Sequence, residues 1–183
     1  MNELGPLEPL IGVWEGGQGL DIAPISDHGS AKETRYREEI TFTPIGLVAN
    51  GPQLLYGLRY TTIAWPLNES EPFHEEVGYW LWDGREQQIM RSFVVPRGVV
   101  VNAGGNALAD SRKFQMSAEV GSEVYGILSN PFLDRAFKTV RYDLAVEILT
   151  DDRFSYSEDT VLKMANTTDL FHHVDSNKLS KQT

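Results

Sequence analysis

The chain of 183 residues has no cysteine. That excludes disulfides, thiolate catalysis and cysteine-ligated zinc or iron–sulfur centres. It suits a reducing compartment, so a cytoplasmic location is the expectation. No apolar run approaches the ~20 residues of a membrane-spanning helix. The opening MetAsnGluLeuGlyProLeuGluProLeuIleGly lacks the basic and apolar regions of a secretory signal. Basic clusters are missing too. With 16 Lys and Arg against 26 Asp and Glu, the formal net charge is -10. Such a chain repels nucleic-acid phosphates and anionic lipid alike, so neither nucleic acid nor membrane is an expected partner. Helical periodicity is scarce. So are catalytic signatures: there is no His-Glu-x-x-His helix, no Gly-rich phosphate loop before a helix and no nucleophile elbow.

What is present is alternation with period two, broken by Gly, Pro, Asn and Asp. Thr34, Tyr36, Glu38, Ile40 and Phe42 share one face of a strand, and Arg35, Arg37, Glu39 and Thr41 the other. Tyr142, Leu144, Val146 and Ile148 repeat the pattern, as do Phe154, Tyr156, Leu162 and Met164. About ten strands follow: 12–19, 33–43, 53–65, 74–83, 87–95, 98–104, 112–119, 123–129, 137–149 and 153–164. Turn signals fall between them at ThrProIleGly 43–46, AspGly 83–84, ProArgGly 96–98 and ThrAspAsp 150–152. Short helices are expected only at Leu7–Ile11 and within Ser129–Arg135. Residues 20–32 read as a polar loop and 165–183 as a tail without clear alternation. The expectation is an all-β chain, one domain over 1–183, forming a closed antiparallel up-and-down barrel. A barrel of eight to ten strands has room for a small ligand, whereas a packed sandwich would have none.

Four histidines are available for chemistry: His28, His74, His172 and His173. His28 falls in the polar loop and reads as solvated. His74 opens a strand beside Glu75 and Glu76 and reads as an exposed strand start. His172 and His173 lie among Leu170, Phe171, Val174 and Leu179. Adjacent residues of an extended segment point opposite ways, so one imidazole can face inward toward an iron while the other faces solvent. Glu38 is inward by parity and needs a partner. Arg59 is a candidate, although its own parity sets it on the face opposite Tyr60. The glycines around Trp14 allow a barrel strand to bend, and Trp14 can plug one end or wall a cavity.

Five stretches resemble the nitrobindin-like heme-binding β-barrel family, whose fold is similar to lipocalins and fatty-acid-binding proteins. They are ProLeuGluProLeuIleGlyValTrpGluGly (6–16), TyrArgGluGluIleThrPheThrProIleGly (36–46), ProPheHisGluGluValGlyTyrTrp (72–80), SerAsnProPhe (129–132) and the tail Met164…His173. The resemblance implies heme b as cofactor and places the axial histidine on His173, with His172 as the alternative. Gly12, Trp14 and Gly16 match the family's opening motif and are implied on the cofactor side. Gln18 stands where that motif has its last glycine, with Gly19 one position later. Nitric oxide binding, or isomerisation of peroxynitrite at ferric iron, is the implied chemistry. The competing expectation is a non-heme carrier of a fatty acid or other small apolar ligand.

Overall fold

The computed structural model describes residues 3–182. After a 3-10 helix over Gly5–Leu10, the chain runs through β1 (Gly12–Pro24), β2 (Ala31–Asn50), β3 (Gln53–Pro66), β4 (His74–Asp83), β5 (Gln88–Val95), β6 (Val99–Asn106), β7 (Lys113–Val120) and β8 (Gly126–Ser129). A short helix α1 (Pro131–Ala136) precedes β9 (Phe137–Thr150), β10 (Arg153–Met164) and β11 (Phe171–Lys181). The sheet closes on itself in the order β1-β11-β10-β9-β7-β8-β6-β5-β4-β3-β2. All pairs are antiparallel except the short parallel contact of β7 with β8, where Glu119 and Val120 meet Gly126 and Ile127. The expected closed barrel is therefore present, with one meander step replaced by a short strand folded back between β6 and β7.

Three local expectations need correction. The segment 165–183 is not a featureless tail: β11 pairs with both β10 and β1 and closes the barrel. Its inward positions, His173, Asp175, Asn177 and Leu179, are mostly polar, which hid the alternation. The expected loop 20–32 shrinks to its middle, since β1 continues to Pro24 and β2 starts at Ala31. ThrProIleGly 43–46 does not turn the chain. Pro44 and Gly46 flank a bulge in one long strand, with Gly46 at φ +75°, and the hairpin comes at Gly51 and Pro52. Proline has no N–H for the ladder, and a bulge absorbs that loss without ending the strand.

One end of the barrel is closed. Leu7 and Leu10 of the 3-10 helix are fully buried, and complete burial of such a side chain contributes about 1.5–3 kcal/mol. Trp14 packs edge-on against Phe154 and donates from Nε1 to the Leu10 carbonyl at 2.6 Å. Phe42, Trp80, Phe114 and Ile148 complete this plug. Toward the other end the inward side chains become polar and a hollow opens.

Candidate functional site

The hollow has two lobes that share His74, Glu76, Arg97, Glu158 and His173 as walls. The inner lobe, about 210 Å³, reaches down to Phe42 and Phe154. The outer lobe, about 260 Å³, is walled by Ile25, Val99, Val101, Leu133 and Leu162. Asn130 caps α1 by accepting from the Phe132 and Leu133 amides at 2.9 and 3.0 Å, which sets Leu133 into the outer lobe.

A bulge in β1 determines who meets His173. Trp14 and Gly16 are buried on one parity, and Gly19 and Asp21 on the other. The register against β2 shifts between Gly16 and Gly19. One extra residue exchanges the two faces of everything that follows, so Asp21 rather than Leu20 faces inward. The glycine at 19 is required there, because a Cβ would lie 2.4 Å from the Tyr36 ring. The displaced glycine noticed in the motif is thus the structural mark of this bulge.

Asp21 Oδ1 lies 2.7 Å from His173 Nε2 across the β1–β11 seam. Burial disfavours a charged ring, yet the Asp21 hydrogen bond and charge outweigh it and raise the His173 pKa above its ordinary value. His172 points the other way, into solvent, with Nδ1 2.7 Å from Asp159 Oδ2. His74 stands on the cavity wall rather than at a freely solvated strand start. Its Nε2 is 3.6 Å from Glu76 Oε2. Burial works against its charge, but the Glu76 carboxylate, helped by Glu158 and Asp175, lifts the ring to about 9. His28 is exposed, with its ring Nδ1 2.6 Å from Asp27 Oδ1.

Behind these imidazoles sits a buried cation. Arg91 forms a short contact with Glu76, reaches Glu158 Oε2 at 3.0 Å and donates from Nε to the Tyr60 hydroxyl at 3.0 Å. Tyr60 in turn donates to Glu76 at 2.9 Å, and Tyr142 to Glu158 at 2.7 Å. Burial pushes the Glu76 carboxyl up, but Arg91 and His74 more than reverse this and hold it at about 2.

A second polar row runs across the seam. Glu38 meets the Tyr156 hydroxyl at 3.0 Å, Tyr156 meets Tyr36 at 2.8 Å, and Tyr36 donates to Asp175 in a short contact. Asn177 Nδ2 donates to Glu38 at 3.0 Å. Burial and the Asp175 charge push the Glu38 carboxyl up to about 8. Burial and the Glu158 charge push Asp175 up to about 7. Arg59 is not the partner of Glu38, since its side chain lies on the exposed outer face.

Of the residues singled out in the sequence, His173 lines both lobes and His172 lines neither. Gly12, Trp14 and Gly16 line neither lobe. Trp14 sits in the plug, and Gly16 lies where a Cβ would meet the Lys178 carbonyl at 2.7 Å. Sequence reasoning named Tyr156 only as an alternating strand residue and Glu76 only as a neighbour of His74, and it missed Asp21, Arg91, Asp175 and Asn177. Arg91 carried a signal, a charge between Ile89 and Phe93 at inward parity. Asp175 and Asn177 carried another, the parity of His173.

The geometry and the comparisons with known proteins agree on the class. The model of the THAP4-like, heme-binding beta-barrel domain family matches residues 3–181, and the chain belongs to that family. Among solved structures, the crystal structure of Rv2717c from M. tuberculosis is similar in fold, with a TM-score of 0.68 and 21% identity over 100% of this chain and 99% of that one. No curated protein matches the chain. Among the described residues, no helix is long and apolar enough to cross a membrane.

Proposed function

We propose that the hollow binds heme b and that His173 supplies an axial imidazole to the iron. The carrying observation is the state of that ring. Asp21 orients Nε2, while Nδ1 has no hydrogen-bond partner among the described residues. One nitrogen held by a carboxylate and the other left free is how proteins present metal-ligating histidines. The apolar walls of the outer lobe suit a flat macrocycle. Arg97, which has no ion-pair partner among the described residues and lines both lobes, is placed to meet a propionate. These residues fit the group.

Bound heme would supply an iron that takes a diatomic or oxidant ligand, with nitric oxide and peroxynitrite as the candidates the family resemblance implies. The chain's own contribution is positional and electrostatic. Asp21 fixes the His173 ring, and His74 holds a proton at the cavity wall below about pH 9. A fatty-acid carrier is less well served. Its carboxylate could meet the same Arg97, but it would make no use of the Asp21-oriented His173 ring on the wall of both lobes.

Hemin titration followed by absorbance tests this reading. Wild type and His172→Ala are expected to give the same Soret band. His173→Ala is expected to shift that band and weaken binding at least about tenfold, the order of effect for a lost ligand or its supporting partner. A folded His173→Ala protein with an unchanged band and affinity would remove His173 from the ligand role.

A further inference from the structure

Arg97 combines an exposed side chain with a tightly held backbone. The loop between β5 and β6 has three residues, Pro96, Arg97 and Gly98, between the paired Val95 and Val99. Proline presets the first position of such a turn. Gly98 closes it at φ +81°, the left-handed conformation usual at the end of a three-residue hairpin loop. The Val95 carbonyl accepts from the Arg97 and Gly98 amides at 2.7 and 3.1 Å.

A further restraint comes from outside the hairpin. Asn130 Nδ2 donates to the Arg97 carbonyl at 2.7 Å, and the Asn130 amide donates to the Gly98 carbonyl at 3.1 Å. The same side chain caps α1 through Oδ1. Asn130 thus joins two walls of the hollow: the turn that carries Arg97, and the helix that sets Leu133 into the outer lobe. Glycine suits the junction, because a Cβ at residue 98 would lie 3.0 Å from Asn130 Nδ2. Capping uses Oδ1 alone, so a serine would serve α1 as well. The Nδ2 bond serves only the turn. Rigid support beneath an exposed side chain is what a binding residue requires, since it lowers the ordering cost of the contact.

Charge defines what this arm can meet. Of the cations that line the lobes, Arg91 is matched by Glu76 and Glu158, His74 by Glu76 and His173 by Asp21. Arg97 lines both lobes and has no ion-pair partner among the described residues. A planar guanidinium pairs with a carboxylate through two parallel hydrogen bonds.

We propose that Asn130 is a positioning residue that holds the Arg97 arm and the α1 wall as one clamp, and that this clamp selects tetrapyrroles whose side-chain carboxylates are free. The inference rests on the reading of the hollow as a heme site and deepens it. Arg97 is the group that discriminates. Asn130 acts through it, by fixing the backbone from which the guanidinium reaches the mouth.

Fluorescence titration with iron-free protoporphyrin IX and with its dimethyl ester tests this. Wild type is expected to bind the diacid at least about tenfold more tightly than the ester, the order of one hydrogen-bonded charge contact. Arg97→Ala should remove that preference. Asn130→Ser keeps the cap and loses the bond to the turn, so it should lower diacid affinity several-fold and leave ester affinity unchanged. Asn130→Ala, which also uncaps α1, should weaken both. Circular dichroism reports that each variant is folded. A residue that served the fold alone would move diacid and ester together in both Asn130 variants, and that result overturns the proposal. So does equal binding of the two porphyrins by wild type, binding of neither, or a folded Asn130→Ser protein with its full preference. These probes carry no iron, so His173 takes no part in them. The Soret test of His173 therefore stands or falls separately.

Discussion

Replacing Glu38 by glutamine should make the protein's stability less sensitive to pH, and the size of the effect follows from the buried row. The Glu38 carboxyl is pushed from 4.5 to about 8, by burial first and the Asp175 charge second. Between those values the unfolded chain releases a proton that the folded one keeps. Stability is therefore full below about pH 4.5 and falls as pH rises toward 8, by up to about 1.4 kcal/mol per pH unit. Glutamine cannot ionise. Its amide can hydrogen-bond the Tyr156 hydroxyl, and its oxygen still accepts from Asn177, so the geometry is kept. The variant should thus match wild type near pH 5 and exceed it by about 2–3 kcal/mol at pH 7, that slope acting over two units. Urea denaturation of both proteins at the two pH values measures this. A stability difference that stays constant between pH 5 and 7, within about 0.5 kcal/mol, would refute the reasoning.

Arg91→Met should be far more damaging than its burial alone suggests. It leaves Glu76 and Glu158 without their shared cation, and stranding a buried partner costs about 3–5 kcal/mol in urea denaturation; a loss under about 1 kcal/mol would mean that water already screens the group. Gly78→Ala tests the backbone instead. Its Cβ would fall 2.1 Å from the Ser92 carbonyl of the paired strand β5, and the strain should cost about 1–3 kcal/mol and lower Tm by several degrees. An unchanged Tm would show that β4 and β5 can separate freely at that point.

Much of the barrel was legible because burial imposes alternation wherever the inward face is apolar. Tyr36, Ile40 and Phe42, or Tyr142 through Ile148, announce their strands. β11 was illegible for the converse reason: its inward face presents His173, Asp175 and Asn177, and a polar lining erases the contrast on which a period-two reading depends. The same fact hid most of the site. Its residues meet from β1, β2, β3, β4, β5, β9, β10 and β11, and no local spacing encodes those meetings. Opposite orientation of His172 and His173 was readable, because it needs only an extended backbone. Asp21 was not, because its direction depends on a one-residue bulge between Gly16 and Gly19 that becomes visible only against the register of β2.

The bond between Asp21 and His173 joins residues 152 positions apart, and so does its consequence. Ends that distant meet only after the intervening staves have been ordered, so this joint is among the costliest to form and belongs late in assembly. A guest gripped by the shutting stave acts as a clasp on the whole cylinder and holds it shut by RT ln(1 + [L]/Kd). Heat resistance should therefore climb with the logarithm of guest concentration, and the unbound protein should breathe first along the join between its first and last staves.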